Sequence, residues 1–193
     1  PKELWPKSAE VGILGLGYPE EFGGVSEGID IWYSIILNEE MARVAVGGVG
    51  ATLMVHGIGL PPIINFASDD VTAMVVPPVL AGTERISLAI TEPGAGSDVA
   101  QLTTTASLEG DHYVVNGSKT YITGGMNANW VTTAVRTGGD GAGGISVLLI
   151  PTDVEGVSRT ALDKKQGWWC SDTATIYFDN VRVPKSHRLG EEG

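Results

Sequence analysis

The residues best suited to chemistry lie in one short segment, Leu88–Ser97, in which an apolar, strand-like alternation ends at Thr91 and a glycine-rich loop follows. Gly94 and Gly96 allow the backbone to turn sharply and to approach a ligand closely. Exposed N–H groups in such a loop can bind anionic phosphate oxygens, and the Ser97 hydroxyl adds a further donor. A plain turn between two strands has the same pattern, so the segment alone leaves both interpretations open.

Other residues of catalytic type fit structural roles better. Glu92, beside the loop, is predicted to be a structural carboxylate that accepts hydrogen bonds from loop N–H groups. His56 lies in an apolar helical segment and is predicted to pack in the core rather than to act as a base. His112 and His187 have no carboxylate or cysteine at metal-ligand spacing, and Cys170 lacks the cationic neighbours that activate a nucleophilic thiol. The sequence therefore nominates no catalytic residue and no metal site.

The composition is that of a folded globular protein. Of the 193 residues, 42% are hydrophobic and 18% are charged, which excludes a disordered tail. The net charge of −11, from 23 acidic against 12 basic residues, argues against a nucleic-acid surface, because such a surface needs clustered Lys and Arg. One cysteine excludes an intrachain disulfide and indicates a reducing compartment. No apolar run reaches the roughly 18 residues of a membrane helix, so no membrane insertion is expected.

The order of the elements predicts an α+β chain. Helical spacing interrupted by glycine and proline dominates the first part, whereas an alternating, strand-like pattern recurs after Arg85. Runs of helices followed by runs of strands are typical of segregated α and β parts. We therefore expect a partial, all-α N-terminal domain at residues 1–85 and an antiparallel β-domain at residues 86–193.

Two local patterns carry more specific predictions. Gly110-Asp111 and Asn116-Gly117 are predicted as tight hairpin turns, because Asn-Gly is a strong hairpin signal. The helix that follows Ser68 contains an unusually apolar run, Val71–Val76. Such a run needs a cover, so we expect a partner or another segment of the protein to lie on it.

Three motifs resemble those of the acyl-CoA dehydrogenases in order and spacing: Leu88–Asp98 (LAITEPGAGSD), Asn116–Gly124 (NGSKTYITG) and Asp179–Pro184 (DNVRVP). Similar stretches at Pro19–Gly24, Asn38–Arg43 and Gly190–Gly193 extend the resemblance over essentially the whole chain. That family has a helical N-terminal domain, a middle β-barrel-like domain and a C-terminal four-helix bundle. The resemblance implies that this chain has the first in part, the second whole and the third not at all, as in a truncated member.

The resemblance implies FAD as the cofactor. Thr91 would donate to the pyrimidine edge of the flavin, Thr123 would lie near its N5 atom, and Tyr121 would pack against the ring system, where many members have Trp. Gly96 and Ser97 would meet the pyrophosphate, and Ser97 is the one position that would serve either the flavin or the acyl-CoA substrate. The full set of expected cofactor-binding residues is Leu88, Ala89, Ile90, Thr91, Gly96, Ser97, Tyr121, Ile122 and Thr123.

The resemblance also implies an activity, the α,β-dehydrogenation of an acyl-CoA thioester by loss of an α-proton and transfer of a β-hydride to flavin N5. The catalytic base of the family is a carboxylate of the C-terminal bundle, so the chain alone is expected to be inactive. Electron-transfer flavoprotein or a similar acceptor is the expected partner, and the full-length protein is expected to be a homodimer or homotetramer. The expected location is the bacterial cytoplasm or, in a eukaryote, the mitochondrial matrix.

Two other kinds of function stay open at this point. An acyl-CoA oxidase or a flavin monooxygenase could use the same scaffold, because oxygen reactivity depends on solvent access around the flavin. A non-catalytic module that binds acyl-CoA or a protein could keep the fold without the base. Hydrogen peroxide production distinguishes the first, and the absence of a carboxylate in the helices that follow distinguishes the second.

Overall fold

The computed structural model describes residues 2–193, in which six α-helices precede eight β-strands. The helices are α1 (Leu4–Glu10), α2 (Ile31–Arg43), α3 (Gly47–Leu53), α4 (His56–Gly59), α5 (Pro61–Phe66) and α6 (Asp69–Leu80). The strands are β1 (Ile86–Ala89), β2 (Thr105–Glu109), β3 (His112–Thr123), β4 (Trp130–Arg136), β5 (Ile145–Pro151), β6 (Val157–Ala161), β7 (Thr173–Pro184) and β8 (Arg188–Leu189). This order of helices and then strands confirms the predicted α+β class.

The strands form one open and mostly antiparallel sheet. Its order is β6-β7-β3-β2-β4-β5-β8, and β1 joins β4 in parallel register with Ile86 opposite Trp130. Across residues 2–193, β6 and β8 lie at opposite ends of this order and do not pair with each other. The barrel-like form expected for the β-domain is therefore corrected to an open sheet.

Strand β5 separates two hydrophobic cores. Leu148 and Ile150 face a core built from the strands themselves, which includes Tyr113 and Ile176. Leu149, between them in sequence, faces the helices on the other side of the sheet. Successive strand residues point to opposite faces, so the continuous apolar run of β5 serves both cores at once.

Helix α6 packs its apolar run against the second of these cores. Most of the run Val71–Val76 is buried, and its valines pack with Ile63, Ile86 and Leu149. The cover expected for this run is thus supplied by α5 and the sheet of the same chain. Helix α6 in turn supports β1, the strand that leads into the glycine-rich loop.

Strand β3 is continuous over twelve residues, so the hairpin predicted at Asn116-Gly117 is wrong. The turn predicted at Gly110-Asp111 does join β2 to β3. Gly117 instead lies at an irregularity in the pairing with β7 and has a φ of 143°. A Cβ atom there would lie 2.6 Å from Thr104 Oγ1, so the position requires glycine. Asn-Gly correctly signals unusual backbone geometry, but the chain uses it for a bulge.

Helix α2 has the least support of the helices described. Asp30 caps its N-terminus, because Asp30 Oδ1 accepts a hydrogen bond from the Trp32 N–H at 2.9 Å. Within residues 2–193 the helix contributes no buried residue. The side chain of Trp32 is 63% exposed, and those of Ile31 and Ile36 are also exposed. The helix therefore presents apolar side chains to its surroundings.

No single helix among residues 2–193 is long and apolar enough to cross a membrane. Only the pair Gly47–Leu53 and His56–Phe66, with a bend of 43° between them, reaches that length and composition.

Candidate functional site

The two segments predicted to bind a ligand lie side by side where β1 and β3 end. We call residues Ile90–Glu92 and Lys119–Thr123 the β1–β3 junction. Three hydrogen bonds hold the two strand ends together: Thr120 N–H to the Thr91 carbonyl at 2.8 Å, Lys119 Nζ to the Ile90 carbonyl at 3.0 Å, and Ser87 Oγ to the Thr123 carbonyl at 2.8 Å. Together, one backbone bond and two bonds from side chains to main-chain carbonyls fix the separation of the two segments.

One side of the junction is a buried ion pair. Lys119 Nζ lies 2.7 Å from Glu92 Oε1, and the two side chains are 0% and 3% exposed. Glu92 also accepts hydrogen bonds from the Thr103 and Thr104 N–H groups, at 2.7 and 2.9 Å, and from the Thr103 hydroxyl at 2.8 Å. The prediction that Glu92 is a structural carboxylate bound by N–H groups is confirmed. We call Glu92, Lys119, Thr103 and Thr104 the anchor.

Two opposing effects set the pKa of Glu92. Burial raises this pKa. The hydrogen bonds from Lys119, Thr104 and Thr103 have a larger combined effect in the opposite direction and lower it to about 2. Burial lowers the pKa of Lys119, against the opposing effect of the Glu92 charge. A general base works best when its pKa is near the operating pH, so the ionised Glu92 is poorly suited to take a proton.

Lys119 is the residue of the anchor that the sequence reading did not single out. It shares a face of β3 with Tyr113 and Val115, and all three are fully buried. A lysine at a core-facing position of an alternating strand needs an ionic partner, because an unpaired buried charge is costly. The alternation of β3 therefore could have identified Lys119 as a buried charge that needs a partner, and the structure shows that this partner is Glu92.

Tyr121 projects from the other side of the junction. Its φ is 59°, a left-handed conformation that non-glycine residues adopt rarely, and its side chain is 65% exposed. The pairing of β3 with β7 shifts register between Lys119 and Ile122, which accommodates this turn of the backbone. Strain of this kind at an exposed aromatic residue is more typical of a binding site than of a packed core.

Thr91 and Thr123 take part in the hydrogen bonds that join the strands through their main-chain carbonyls. Both are half-buried, and neither hydroxyl makes a hydrogen bond to another group within residues 2–193. Both hydroxyls are therefore available to a ligand as donors. With Tyr121, they form what we call the open side of the junction.

The remaining predicted contacts of the two strands differ in their accessibility. Leu88 and Ile90 are half-buried, whereas Ala89 and Ile122 are buried in the core of the sheet. The side chains of Ala89 and Ile122 are thus committed to packing. Any contact that these two residues make with a ligand has to come from the backbone.

The glycine-rich loop after Glu92 is closed by two backbone hydrogen bonds between Glu92 and Ala95, at 2.8 and 3.2 Å. A Cβ atom added to Gly94 or Gly96 would meet nothing within 4 Å. Ser97 is exposed, and the Gly96 and Ser97 N–H groups have no acceptor within residues 2–193. The loop therefore has open space and free donors where the sequence predicts an anion-binding backbone.

These features fit a flat cofactor that carries phosphate groups. The Tyr121 ring offers an aromatic surface, and the Thr91 and Thr123 hydroxyls offer donors to the edge of a ring system. Free N–H groups at Gly96 and Ser97 suit phosphate oxygens. The residues present thus match the needs of FAD in kind and in arrangement along the two segments.

The other candidate residues lie outside the junction. His56 is buried, with its ring nitrogens 3.2 Å from the Leu53 carbonyl and 3.0 Å from the Leu14 carbonyl, as expected for a packed core histidine. Cys170 is exposed, and in residues 2–193 no group of three or more His, Cys, Asp or Glu side chains could hold a metal ion.

Known protein families match nearly the whole chain. The family described as acyl-CoA dehydrogenase, N-terminal domain matches residues 1–83, and the one described as acyl-CoA dehydrogenase, middle domain matches residues 87–181. The match covers both the helices and the junction. The chain belongs to the acyl-CoA dehydrogenase family.

Individual relatives agree in sequence and in fold. Acyl-CoA dehydrogenase AFT10-1 of Alternaria alternata is 42% identical over 84% of this chain and 38% of its own length. The crystal structure of a probable acyl-CoA dehydrogenase from Mycobacterium abscessus is 49% identical, with a TM-score of 0.94 over 100% of this chain and 51% of the other. An acyl-CoA dehydrogenase complexed with FAD from Bacillus anthracis is 35% identical, with a TM-score of 0.89 over 98% of this chain and 32% of the other. The chain thus spans about half the length of these relatives, or less.

Proposed function

We propose that this chain forms the flavin-binding part of an FAD-dependent acyl-CoA dehydrogenase, which removes an α-proton and a β-hydride from an acyl-CoA thioester. The observation that carries the proposal is the β1–β3 junction, which places Thr91 against Lys119–Thr123 and leaves the Tyr121 ring exposed. The Bacillus anthracis relative in complex with FAD supports the choice of cofactor. When bound, FAD supplies the hydride acceptor.

Each residue of the open side has a role in this proposal. Tyr121 covers part of the flavin and excludes water from it. The Thr91 and Thr123 hydroxyls donate to the edge of the ring system, where donors stabilise negative charge as it develops. The Gly96 and Ser97 N–H groups hold the pyrophosphate, and the Ser97 hydroxyl is available to either the pyrophosphate or the acyl-CoA.

The catalytic base is proposed to lie beyond residue 193. Glu92 is the one carboxylate of the β1–β3 junction, and it is buried, paired with Lys119 and ionised with a pKa of about 2. A group that holds its charge so strongly has little tendency to accept a proton from carbon. The chain alone is therefore proposed to bind flavin without turning over substrate.

Further features of the whole protein are proposed with it. Residues 1–85 and 86–193 are proposed as two domains, the second of which supplies the flavin contacts. Electron-transfer flavoprotein or a similar acceptor takes the electrons, and the full-length protein is a homodimer or homotetramer. Its location is the bacterial cytoplasm or the mitochondrial matrix.

Flavin binding by the 193-residue chain tests the first part of the proposal. Titration with FAD, followed by quenching of flavin fluorescence, is expected to show saturable binding that Tyr121→Ala weakens about fivefold, the equivalent of about 1 kcal/mol of aromatic contact. Tyr177→Ala removes another exposed tyrosine, on β7, and is expected to leave binding unchanged. Equal effects of the two substitutions would contradict the placement of the flavin.

Activity of a full-length enzyme that contains this chain tests the second part. Anaerobic addition of acyl-CoA is expected to bleach the flavin absorbance, and an added electron acceptor is expected to restore it. Formation of hydrogen peroxide in air, with little use of the acceptor, would favour the oxidase instead. A failure of bleaching in a protein that binds both FAD and acyl-CoA would favour a non-catalytic module.

A further inference from the structure

A cavity of about 400 Å³ lies between α1, α3, Arg85 before β1 and the loop that joins β6 to β7. Trp5 of α1, Thr52 of α3 and Arg85 contribute to its wall, with Trp169 and Asp172 from the loop. None of the nine expected cofactor-binding residues lines it. The cavity is therefore distinct from the β1–β3 junction.

Arg85 is held in place without a hydrogen-bonding partner for its side chain. Its Cζ atom lies 3.8 Å from the centroid of the Trp5 ring, a distance at which the cation and the aromatic face attract each other. The backbone N–H of Arg85 donates to Asn129 Oδ1 at 3.0 Å, which fixes the main chain. Within residues 2–193 the guanidinium donates to no acceptor and has no carboxylate within 4 Å. A positioned fork of donors thus borders the cavity unused.

Thr52 supplies an independent sign that a ligand belongs here. Its side chain is only 7% exposed, and Oγ1 is buried with no hydrogen-bond partner. Among residues 2–193 it is the one buried side-chain polar atom in that state. Burying a hydroxyl without a partner is unfavourable, so each such atom in a native structure calls for an explanation. A ligand in the cavity would give Thr52 the missing partner.

Two charged groups of the wall, Lys165 and Asp172, already have partners. Lys165 Nζ donates to the carbonyls of Trp168 and Ser171 and to the Thr173 hydroxyl. Asp172 Oδ2 accepts a hydrogen bond from the Met126 N–H at 2.7 Å. These groups hold the loop in its shape. Arg85, held against Trp5, and the buried Thr52 are the groups that combine a fixed position with unused hydrogen-bonding capacity.

The charges and the apolar surface around the cavity define the kind of ligand. The cavity is lined by three basic and two acidic side chains: Lys2, Arg85 and Lys165, and Asp163 and Asp172. The excess of one positive charge favours a monoanion over a dianion. An adjoining apolar space of about 260 Å³ shares Trp5, Thr52 and Cys170 with the cavity and is otherwise lined by Leu4, Val49 and Leu53. A ligand with one charged end and a compact apolar body matches both spaces.

We propose that this cavity is a binding site for a small monocarboxylate with a compact apolar body. The Arg85 guanidinium binds the carboxylate, whose two oxygens match the fork of its N–H donors. The Thr52 hydroxyl donates to one carboxylate oxygen, and the apolar body lies against Trp5 in the adjoining space.

Calorimetric titration of the 193-residue protein with benzoate tests the proposal, with benzamide as the neutral analogue of the same shape. Benzoate is expected to bind with a Kd of about 1 mM or tighter, and benzamide at least about tenfold more weakly, because only the carboxylate pairs with Arg85. Equal binding of the two compounds, or tighter binding of inorganic phosphate, would overturn the assignment to a monocarboxylate.

Three variants locate the binding. Arg85→Gln is expected to weaken benzoate binding about tenfold or more and Thr52→Val about threefold, whereas Arg182→Gln, at an exposed arginine on β7, is expected to change nothing. Thr52→Val is also expected to raise the Tm of the free protein, because it removes a buried hydroxyl that lacks a partner. A fall in that Tm, or unchanged binding in both cavity variants, would contradict the site.

Discussion

The two sides of the β1–β3 junction use the same two stretches of backbone in opposite ways. On the anchor side, Glu92 and Lys119 are buried, ionised and bound to each other and to Thr103 and Thr104. On the open side, the Tyr121 ring is exposed, and neighbouring hydroxyl groups have no partner within residues 2–193. Satisfied polar groups stabilise a fold, whereas available polar groups at fixed positions can recognise a ligand.

The alternation of a strand makes this division possible. Lys119 points into the core, and Tyr121, two positions later, would point the same way in a regular strand. The register shift between Lys119 and Ile122 and the φ of 59° at Tyr121 reverse that direction. Removal of anchor groups should therefore lower the free energy of unfolding, and changes on the open side should alter ligand binding instead.

The largest effect is expected for Glu92→Leu, which leaves the Lys119 charge buried without its partner. Breaking a buried pair from one side typically costs about 3–5 kcal/mol, so the free energy of unfolding in urea should fall by about that amount. Glu109→Leu removes the carboxylate of an exposed pair with Arg182, at 3.9 Å, and should cost less than about 1 kcal/mol. Similar losses for the two variants would mean that the anchor is no more important than a surface pair.

The anchor also predicts the response of stability to acid. The pKa of Glu92 is lowered from 4.5 to about 2 in the folded chain, so below pH 4.5 the unfolded state takes up the proton first. The stability due to Glu92 is therefore fully present above about pH 4.5 and is lost as the pH falls towards 2, with a total of about 3 kcal/mol. The loss of stability is measured by urea unfolding across this pH range of the wild type and of the double variant that carries Glu92→Gln and Lys119→Met. A stability difference between the two proteins that does not vary with pH would contradict the shift.

Alanine substitutions at two glycines are expected to change stability by smaller amounts and to separate stability from ligand binding. Gly117→Ala places a Cβ atom 2.6 Å from Thr104 Oγ1 at a φ of 143°, which should cost about 1–3 kcal/mol. Gly96→Ala meets nothing within 4 Å, so its stability should stay within about 0.5 kcal/mol of the wild type. Gly96→Ala should nevertheless weaken FAD binding, because the added methyl group stands where the phosphate is proposed to bind. Thermal unfolding and FAD titration of both variants separate the two effects.

The sequence predicts the chemistry of the open side better than the geometry behind it. Thr91, Gly96, Ser97, Tyr121 and Thr123 can be named from motifs, because residue type limits what can bind a flat ring or a phosphate. The roles of individual residues stay predictions until a ligand is bound. Their meeting at one place depends on pairing between distant strands, which no local pattern contains.

Long-range contacts also explain the wrong hairpin at Asn116-Gly117 and the cover of Val71–Val76. Asn116-Gly117 favours a hairpin locally, but pairing of β3 with β7 along twelve residues makes a bulge there more stable. For Val71–Val76 the sequence predicts a cover but does not identify it, and packing against α5 and the sheet provides that cover. In both cases tertiary contacts decide the outcome. Local patterns therefore predict the elements well and their neighbours poorly.

The sharpest test of the division, with no loss of stability, is expected from Tyr121→Asn. Asparagine adopts the left-handed conformation more readily than other non-glycine residues, and the tyrosine ring is 65% exposed, so little packing is lost. The free energy of unfolding should stay the same or rise by up to about 1 kcal/mol, while FAD binding weakens. Urea unfolding and flavin titration of the same sample measure the two responses. A loss of stability above about 1 kcal/mol would show that Tyr121 supports the fold, and the open side would then have to be redrawn around Thr91 and Thr123 alone.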